Sequence, residues 1–263
     1  MSSSDLIEAV RERDWYHTIE LAPGVVTPGW FDLRSIAGRL PWPSLRGARC
    51  LDVGTFDGFW AFEMERRGAG EVIAVDILDP RQWDWPADTK AETISAIGQR
   101  KGLGEGFEVA RAALGSSVQR REMSVYDLDP ADVGLFDVVY LGSILLHLRD
   151  PVRALERVRS ICRGKLLSVD TFDLPLTLAH PRQPVARLDA VGRPWWWQAN
   201  LACIHRMIEA GGFEIESEHR VLMPAGAGQP KLPVRPKALR NGAGRTAVLT
   251  SRVGDPHVAT LAH

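Results

Sequence analysis

Residues 50–63 read CLDVGTFDGFWAFE. The apolar run Cys50, Leu51, Val53 has the length and composition of a buried strand. It ends in a glycine-bearing turn, Gly54-Thr55-Phe56-Asp57-Gly58, and the apolar and acidic residues that follow are spaced for a helix. Strand, glycine turn and helix form the unit that cradles a nucleotide in an open α/β sheet, with the ligand beyond the carboxyl end of the strand. The next apolar run, residues 71–77 (EVIAVDI), ends in Asp76, where a ribose is expected. A carboxylate there can accept charge-assisted hydrogen bonds from both ribose hydroxyls.

The dinucleotide fingerprint needs glycine at three places, G-x-G-x-x-G, so that backbone can approach a pyrophosphate. Here Phe56 and Phe59 stand at the second and third places after Gly54, and that fingerprint fails. The pattern acid-x-Gly-x-(Gly)-x-Gly fits as Asp52-Val53-Gly54-Thr55-Phe56-Asp57-Gly58, with Phe56 replacing the middle glycine. It resembles the first motif of class I S-adenosylmethionine (SAM) methyltransferases, whose turn passes under a methionine moiety that carries no phosphate. An ordinary strand–helix crossover without a ligand is the bland alternative, disfavoured by the acids on both strands.

The chain has 263 residues, 45% hydrophobic and 25% charged, enough for one large globular domain with additions. Its net charge of −1 supplies no overall field to recruit nucleic acid or a membrane. Cys50, Cys162 and Cys203 lie in apolar surroundings without CxxC or CxH spacing. An odd number of such thiols points to a reducing cytoplasm rather than a disulfide frame. The polar residues 1–13 lack the apolar core of a signal peptide. No run approaches the ~18 apolar residues of a membrane span. No HExxH or DxDxDG spacing occurs, so no metal is expected.

In chain order, residues 1–44 form an N-terminal arm or lid and residues 45–263 the main domain. Residues 6–13 suit a short helix capped by Ser4 or Asp5, and residues 15–21 alternate loosely as a strand or extended arm. Trp15, Tyr16, Trp30 and Phe31 either cover a ligand or dock the arm on the core, with Trp30 favoured as ligand-facing. Helices are expected over 87–103, 107–114, 151–163 and 200–210, with Pro151 in a first turn and Gly164 and Gly211 as stops. Strands three to five are expected at 121–128, 136–142 and 165–172, and two closing strands at 213–222 and 245–252. Residues 173–199, rich in proline, form a long substrate-side loop. Three adjacent rings, Trp195, Trp196 and Trp197, cannot all face one core. At least one is expected to face a substrate or to make a contact in a homodimer.

The core motifs, LDVG, VDI, FDVVYLGSILLHLRDPVRAL, AGGFEI and TAVLTSR, together resemble one methyltransferase branch. That branch contains the bacterial tRNA wobble-uridine carboxymethyltransferases. The resemblance spans about residues 18–252 and implies a Rossmann-like α/β fold, a seven-stranded sheet with its last strand antiparallel. It implies cofactor contacts at Trp30, Gly54, Asp76, Ile77, Leu78, Val125, Tyr126 and Gly142. Asp52, Phe56, Asp57, Gly58 and Ser124 join them by position. Those enzymes read a carboxylated cofactor with an arm lysine, a tyrosine before the strand-four histidine and an arginine in the last strand. Here residues 17–21 hold no lysine, the tyrosine place is Leu146, and the arginine falls near Arg245. A carboxylate facing Leu146 would lie desolvated and unpaired, which costs several kcal/mol. Plain SAM is therefore expected, with methyl transfer to oxygen or nitrogen of a small-molecule acceptor.

His147, just beyond strand four, is the expected base, since imidazole titrates near neutrality. Asp57 and Asp170 are weaker candidates. The alternative acceptor is tRNA, since residues 220–252 carry Arg220, Lys231, Arg235, Lys237, Arg240, Arg245 and Arg252 without an acid. A non-catalytic SAM-binding protein is the third reading.

Overall fold

The computed structural model describes residues 2–190, 194–229, 231 and 252–263. Its centre is a seven-stranded sheet of β1 (Arg49–Val53), β2 (Glu71–Asp76), β3 (Gln119–Glu122), β4 (Phe136–Gly142), β5 (Cys162–Thr171), β6 (Ile215–Met223) and β7 (Asp255–Ala262). The spatial order is β6-β7-β5-β4-β1-β2-β3. Strands β1 to β5 pair in parallel, while β7 is antiparallel to both β5 and β6. The order reverses at β1, which opens a crevice beyond the carboxyl ends of β1 and β4.

Side chains alternate along each strand, so one sheet feeds two apolar layers. Cys50, Val72, Ala74, Val138 and Tyr140 face one layer; Leu51, Val53, Ile73, Val75, Val139 and Leu141 face the other. The first layer is covered by α1 (Ser3–Arg11), α2 (Phe59–Arg66) and α4 (Glu105–Leu114), which follows α3 (Ala91–Lys101) in the chain. The second is covered by α5 (Pro151–Ile161) and α6 (Leu201–Ala210). Helix α5 buries Ala154, Leu155, Val158 and Ile161 on a single stripe, at about 1.5–3 kcal/mol for each large side chain. Leu6, Val10, Trp15, Ile19, Leu21 and Leu33 belong to the same layer as the sheet, so the arm is packed into the core.

Several boundaries differ from the sequence expectation. Helix α1 is capped by Ser2, with Asp5 closing a reciprocal capping box. Residues 15–19 run extended, and only Glu20–Ala22 forms a strand, paired with Val25–Val26. The third strand ends at Glu122, because Ser124 caps a tight turn over Val125–Asp127. Gly164 lies inside β5 rather than ending the preceding helix, and a Cβ there would stand 2.2 Å from the Asp137 carbonyl oxygen. The expected loop over 173–199 contains the helix Leu174–Ala179 and a hairpin pairing Ala186–Leu188 with Trp197–Ala199. The closing strand is Asp255–Ala262; residues 245–251, which the sequence reading assigned to it, lie outside the described residues.

Gly58 begins α2 at φ +91, and a Cβ there would come within 2.5 Å of Phe62 and 2.7 Å of Phe107. Gly58→Ala should therefore lower stability by about 2–5 kcal/mol, the sum of left-handed backbone strain and overpacking. Thermal unfolding measures this, and a melting temperature equal to wild type would contradict the packing described.

Candidate functional site

The turn after β1 keeps the backbone of its motif despite losing the middle glycine. Gly54 has φ +78, and a Cβ there would meet Ile144 Cδ1 at 3.1 Å. Phe56 adopts φ +50, a left-handed conformation costly for a side-chain residue. Two contacts offset that cost. Its N–H donates to Asp76 Oδ2 at 2.8 Å, and its ring stacks on Tyr16 with centroids 4.5 Å apart.

Asp76, expected to hold a ribose, is already engaged by the protein. Its Oδ1 accepts from the Ile77 N–H at 2.8 Å, and its Oδ2 from Lys101 Nζ at 2.6 Å as well as from Phe56. The Lys101 side chain is only 2% exposed, and its ammonium lies 3.9 Å from the Phe56 ring centroid. Sequence reading missed Lys101 because it ends a helix 25 residues beyond its partner. Behind it lies a cavity of about 290 Å³ lined by Arg11, Asp14, Lys101 and Glu105.

Asp57 Oδ2 accepts the Tyr16 N–H at 2.6 Å and the His17 N–H at 2.9 Å, clamping the arm to the turn. Burial pushes its pKa up to about 6, against the pull of those two N–H groups. Asp52, also buried, is pushed up to about 7. Trp15 anchors the arm by donating from Nε1 to the Val10 carbonyl. Trp30 lies in the arm loop, its carbonyl accepting the Gly226 N–H at 2.6 Å.

On the far side of the crevice, Asp84 joins three segments. Its Oδ2 accepts from Tyr126 OH at 2.7 Å and from the Arg149 N–H at 2.8 Å, and its carbonyl accepts Trp196 Nε1 at 2.7 Å. Tyr126 OH also accepts the Asp150 N–H at 3.0 Å, so the hydroxyl is spent on fold contacts. Val125 is buried in the core, and Ser124 Oγ accepts the Tyr126 N–H. Leu78 packs toward Gly104, and the Ile77 carbonyl accepts Trp83 Nε1.

Beyond β4, Gly142 leads to Ser143 at φ +51 and to a short turn over Leu145–His147. Asp170 holds that turn: its Oδ1 accepts the Ile144 and Leu145 N–H groups, and its Oδ2 accepts from Ser168. Those three bonds give it a structural part in the turn. His147 Nδ1 donates to the Pro194 carbonyl, which fixes the tautomer and leaves Nε2 with the lone pair. Burial lowers the His147 pKa and keeps the ring neutral. Trp196 N–H donates to the Leu146 carbonyl and Trp197 Nε1 to the Arg149 carbonyl, whereas Trp195 is 38% exposed. The three rings therefore divide, two tying the loop down and one facing outward.

The methyltransferase-domain family matches residues 32–218, well over half of the chain and all of β1 to β5. The chain belongs to that family. Its methyl donor is S-adenosylmethionine. Among solved structures, this methyltransferase is similar to the N-terminal domain of EvdMO1 crystallised with S-adenosylhomocysteine (SAH) and D-fucose. The TM-score is 0.55 at 15% identity, over 100% of this chain and 96% of that one. It also resembles the Burkholderia thailandensis 1,6-didemethyltoxoflavin-N1-methyltransferase with SAH, at TM-score 0.50 and 17% identity over 88% and 76% of the two chains. The magnesium protoporphyrin IX methyltransferase of Synechocystis PCC 6803 gives TM-score 0.50 and 14% identity over 88% and 80%. At these identities the likeness is one of fold. No curated protein sequence matches the chain.

The residues of the methyltransferase fit the donor. Asp52 Oδ2 and Tyr140 OH are buried without hydrogen-bond partners among the described residues, at the strands whose tips line the crevice. Such orphaned groups are costly unless something polar satisfies them. No cluster of metal-ligating side chains occurs among the described residues. Lys101→Met should free Asp76 for the ribose and tighten SAH binding at least threefold by calorimetry. Unchanged or weaker binding would show that the lysine does not compete.

Proposed function

We propose that the chain transfers a methyl group from SAM to an oxygen or nitrogen of a small-molecule acceptor. The observation that carries this reading is the enclosure of the β4 tip. Pro194, Trp196 and Trp197 are pinned over residues 146–149 through His147, Leu146 and Arg149, and Asp84 closes the adjoining side. A roofed site of this kind suits a compact acceptor better than a base carried by a polynucleotide. Of the three adjacent tryptophans Trp195 is the most exposed, and it is the ring assigned to stacking on a planar or sugar acceptor.

When bound, SAM supplies an electrophilic methyl carbon on a sulfonium sulfur. Gly54 and Gly142 let that group approach the backbone, Asp76 accepts from the ribose, and Ile77, Leu78, Val125 and Tyr126 border the adenine side. The lone pair of His147 Nε2 faces the acceptor as base or orienting group. Of the basic residues that raised tRNA as an alternative, Arg235, Lys237, Arg240 and Arg245 lie outside the described residues.

The deciding experiment is transfer of tritiated methyl from SAM into a fractionated extract of the cells the protein comes from. Label is expected in the small-molecule fraction; label confined to RNA would overturn the acceptor class. Asp76→Asn should weaken SAH binding at least tenfold, and unchanged affinity would remove the ribose from that acid. His147→Ala should retain SAH binding while transfer slows at least tenfold, about 1.4 kcal/mol of barrier. Near-wild-type transfer would discard that assignment.

A further inference from the structure

The first residue beyond β4 is not a glycine, although its backbone has φ +51. Ser143 is held there by its N–H, which donates to the Val169 carbonyl at 2.7 Å. A non-glycine residue kept in a strained conformation at the crevice edge is a common mark of function. Its Oγ stands 2.9 Å from His257 Nε2, and His257 Nδ1 stands 2.9 Å from the Asp255 carbonyl oxygen. A carbonyl can only accept, so Nδ1 carries the proton and Nε2 the lone pair. The Ser143 hydroxyl then donates to Nε2, and its own lone pairs remain for a second donor.

The fold supplies the rest of the arrangement. Strand β7 runs against its neighbours, so its beginning, not its end, lies at the crevice edge, where His257 pairs with Thr171 at the close of β5. His257 is 3% exposed, whereas Ser143 is half-buried, so the serine is the more accessible member of the pair. Ile144, the next residue, touches the place where a Gly54 Cβ would lie. Ser143 thus lies between β4 and a neighbour that borders the cofactor turn, with its hydroxyl directed toward β7.

We propose that Ser143 and His257 form an inner proton relay for methyl transfer to a hydroxyl-bearing acceptor, with Ser143 touching the acceptor and His257 acting through it. This rests on the small-molecule reading above. The acceptor oxygen forms the bond to the methyl carbon, and the electron pair of the broken carbon–sulfur bond stays on sulfur. The proton of that oxygen passes to Ser143 Oγ as the proton of Ser143 passes to His257 Nε2. The positive charge lost at sulfur reappears on the imidazolium, so charge balances. Burial keeps His257 neutral at rest by lowering its pKa, and the nearby Asp255 favours the charged form once the proton arrives. Ser143 is a catalytic residue in this scheme, and His257 a positioning residue that ends the relay.

Ser143→Gly separates chemistry from structure, because glycine accepts φ +51 without strain. The variant should melt no lower than wild type, bind SAH with unchanged Kd, and transfer tritiated methyl into the small-molecule fraction at least thirtyfold more slowly at saturating SAM, with KM for SAM unchanged. His257→Gln, which can hydrogen-bond Ser143 but cannot take its proton, should show the same loss. In nitrogen-15 spectra the His257 Nε2 resonance should move when Ser143 is replaced. Transfer by Ser143→Gly within threefold of wild type would overturn the relay, as would a loss of rate matched by an equal loss of SAH affinity. Wild-type protein that binds SAH but labels no small molecule would overturn the acceptor reading, and the relay with it.

Discussion

A single carboxylate, that of Asp76, ties together the three parts of the cofactor crevice. It closes β2, receives the N–H of the left-handed Phe56 in the turn after β1, and pairs with Lys101 at the end of α3. A charge removed from water is tolerable only when opposite charge and hydrogen bonds surround it. Three donors on two oxygens meet that requirement, and the Phe56 ring lies against the ammonium on its other side. The glycine turn is therefore preorganised without a glycine at its middle. The same carboxylate must be shared, or its lysine displaced, when ribose hydroxyls arrive. Gly102 and Gly104, both at positive φ, follow the lysine directly and give the segment backbone freedom.

Two further carboxylates close the crevice from opposite sides. Asp57 seizes two consecutive N–H groups of the arm, while the Asp84 carboxylate gathers a tyrosine hydroxyl and a backbone N–H and its backbone carbonyl an indole. Each satisfies donors that would otherwise be left unpaired where irregular segments cross. In each the hydrogen bonds fall on Oδ2 and fix the surrounding backbone, so their part is to hold the walls. Asp170 does the same for the turn after β4, binding two of its N–H groups at once. The acidic residues that look catalytic by type are thus mostly spent on shaping the site. The imidazole lone pair of His147 and the Ser143 hydroxyl are the groups assigned to the chemistry.

The antiparallel β7 has a consequence beyond completing the sheet. A parallel strand in that place would bring its carboxyl end to the crevice; β7 brings its first residues instead. His257 reaches Ser143 across 114 positions of sequence for this reason alone.

The seven-stranded sheet came from the family resemblance. The first two strands, the glycine turn after β1 and the acid at the end of β2 were legible in residues 50–77, because strand periodicity and turn chemistry are local. For the same reason α5 and α6 were found, with Pro151 in one first turn and Asn200 capping the other. Boundaries failed where a short-range competitor was overlooked, as when the Ser124 cap ended the third strand early. The last strand, Asp255–Ala262, was not anticipated, because it opens on Asp255, Pro256 and His257, and its pairing with β5 is a long-range contact that no local pattern encodes. The pairings of Asp76 with Lys101, of Asp57 with the arm and of Ser143 with His257 join residues 25, 40 and 114 apart. No local pattern encodes them. They arise when packing strips water from several polar groups at once and leaves each to find its partner in what the fold has brought near.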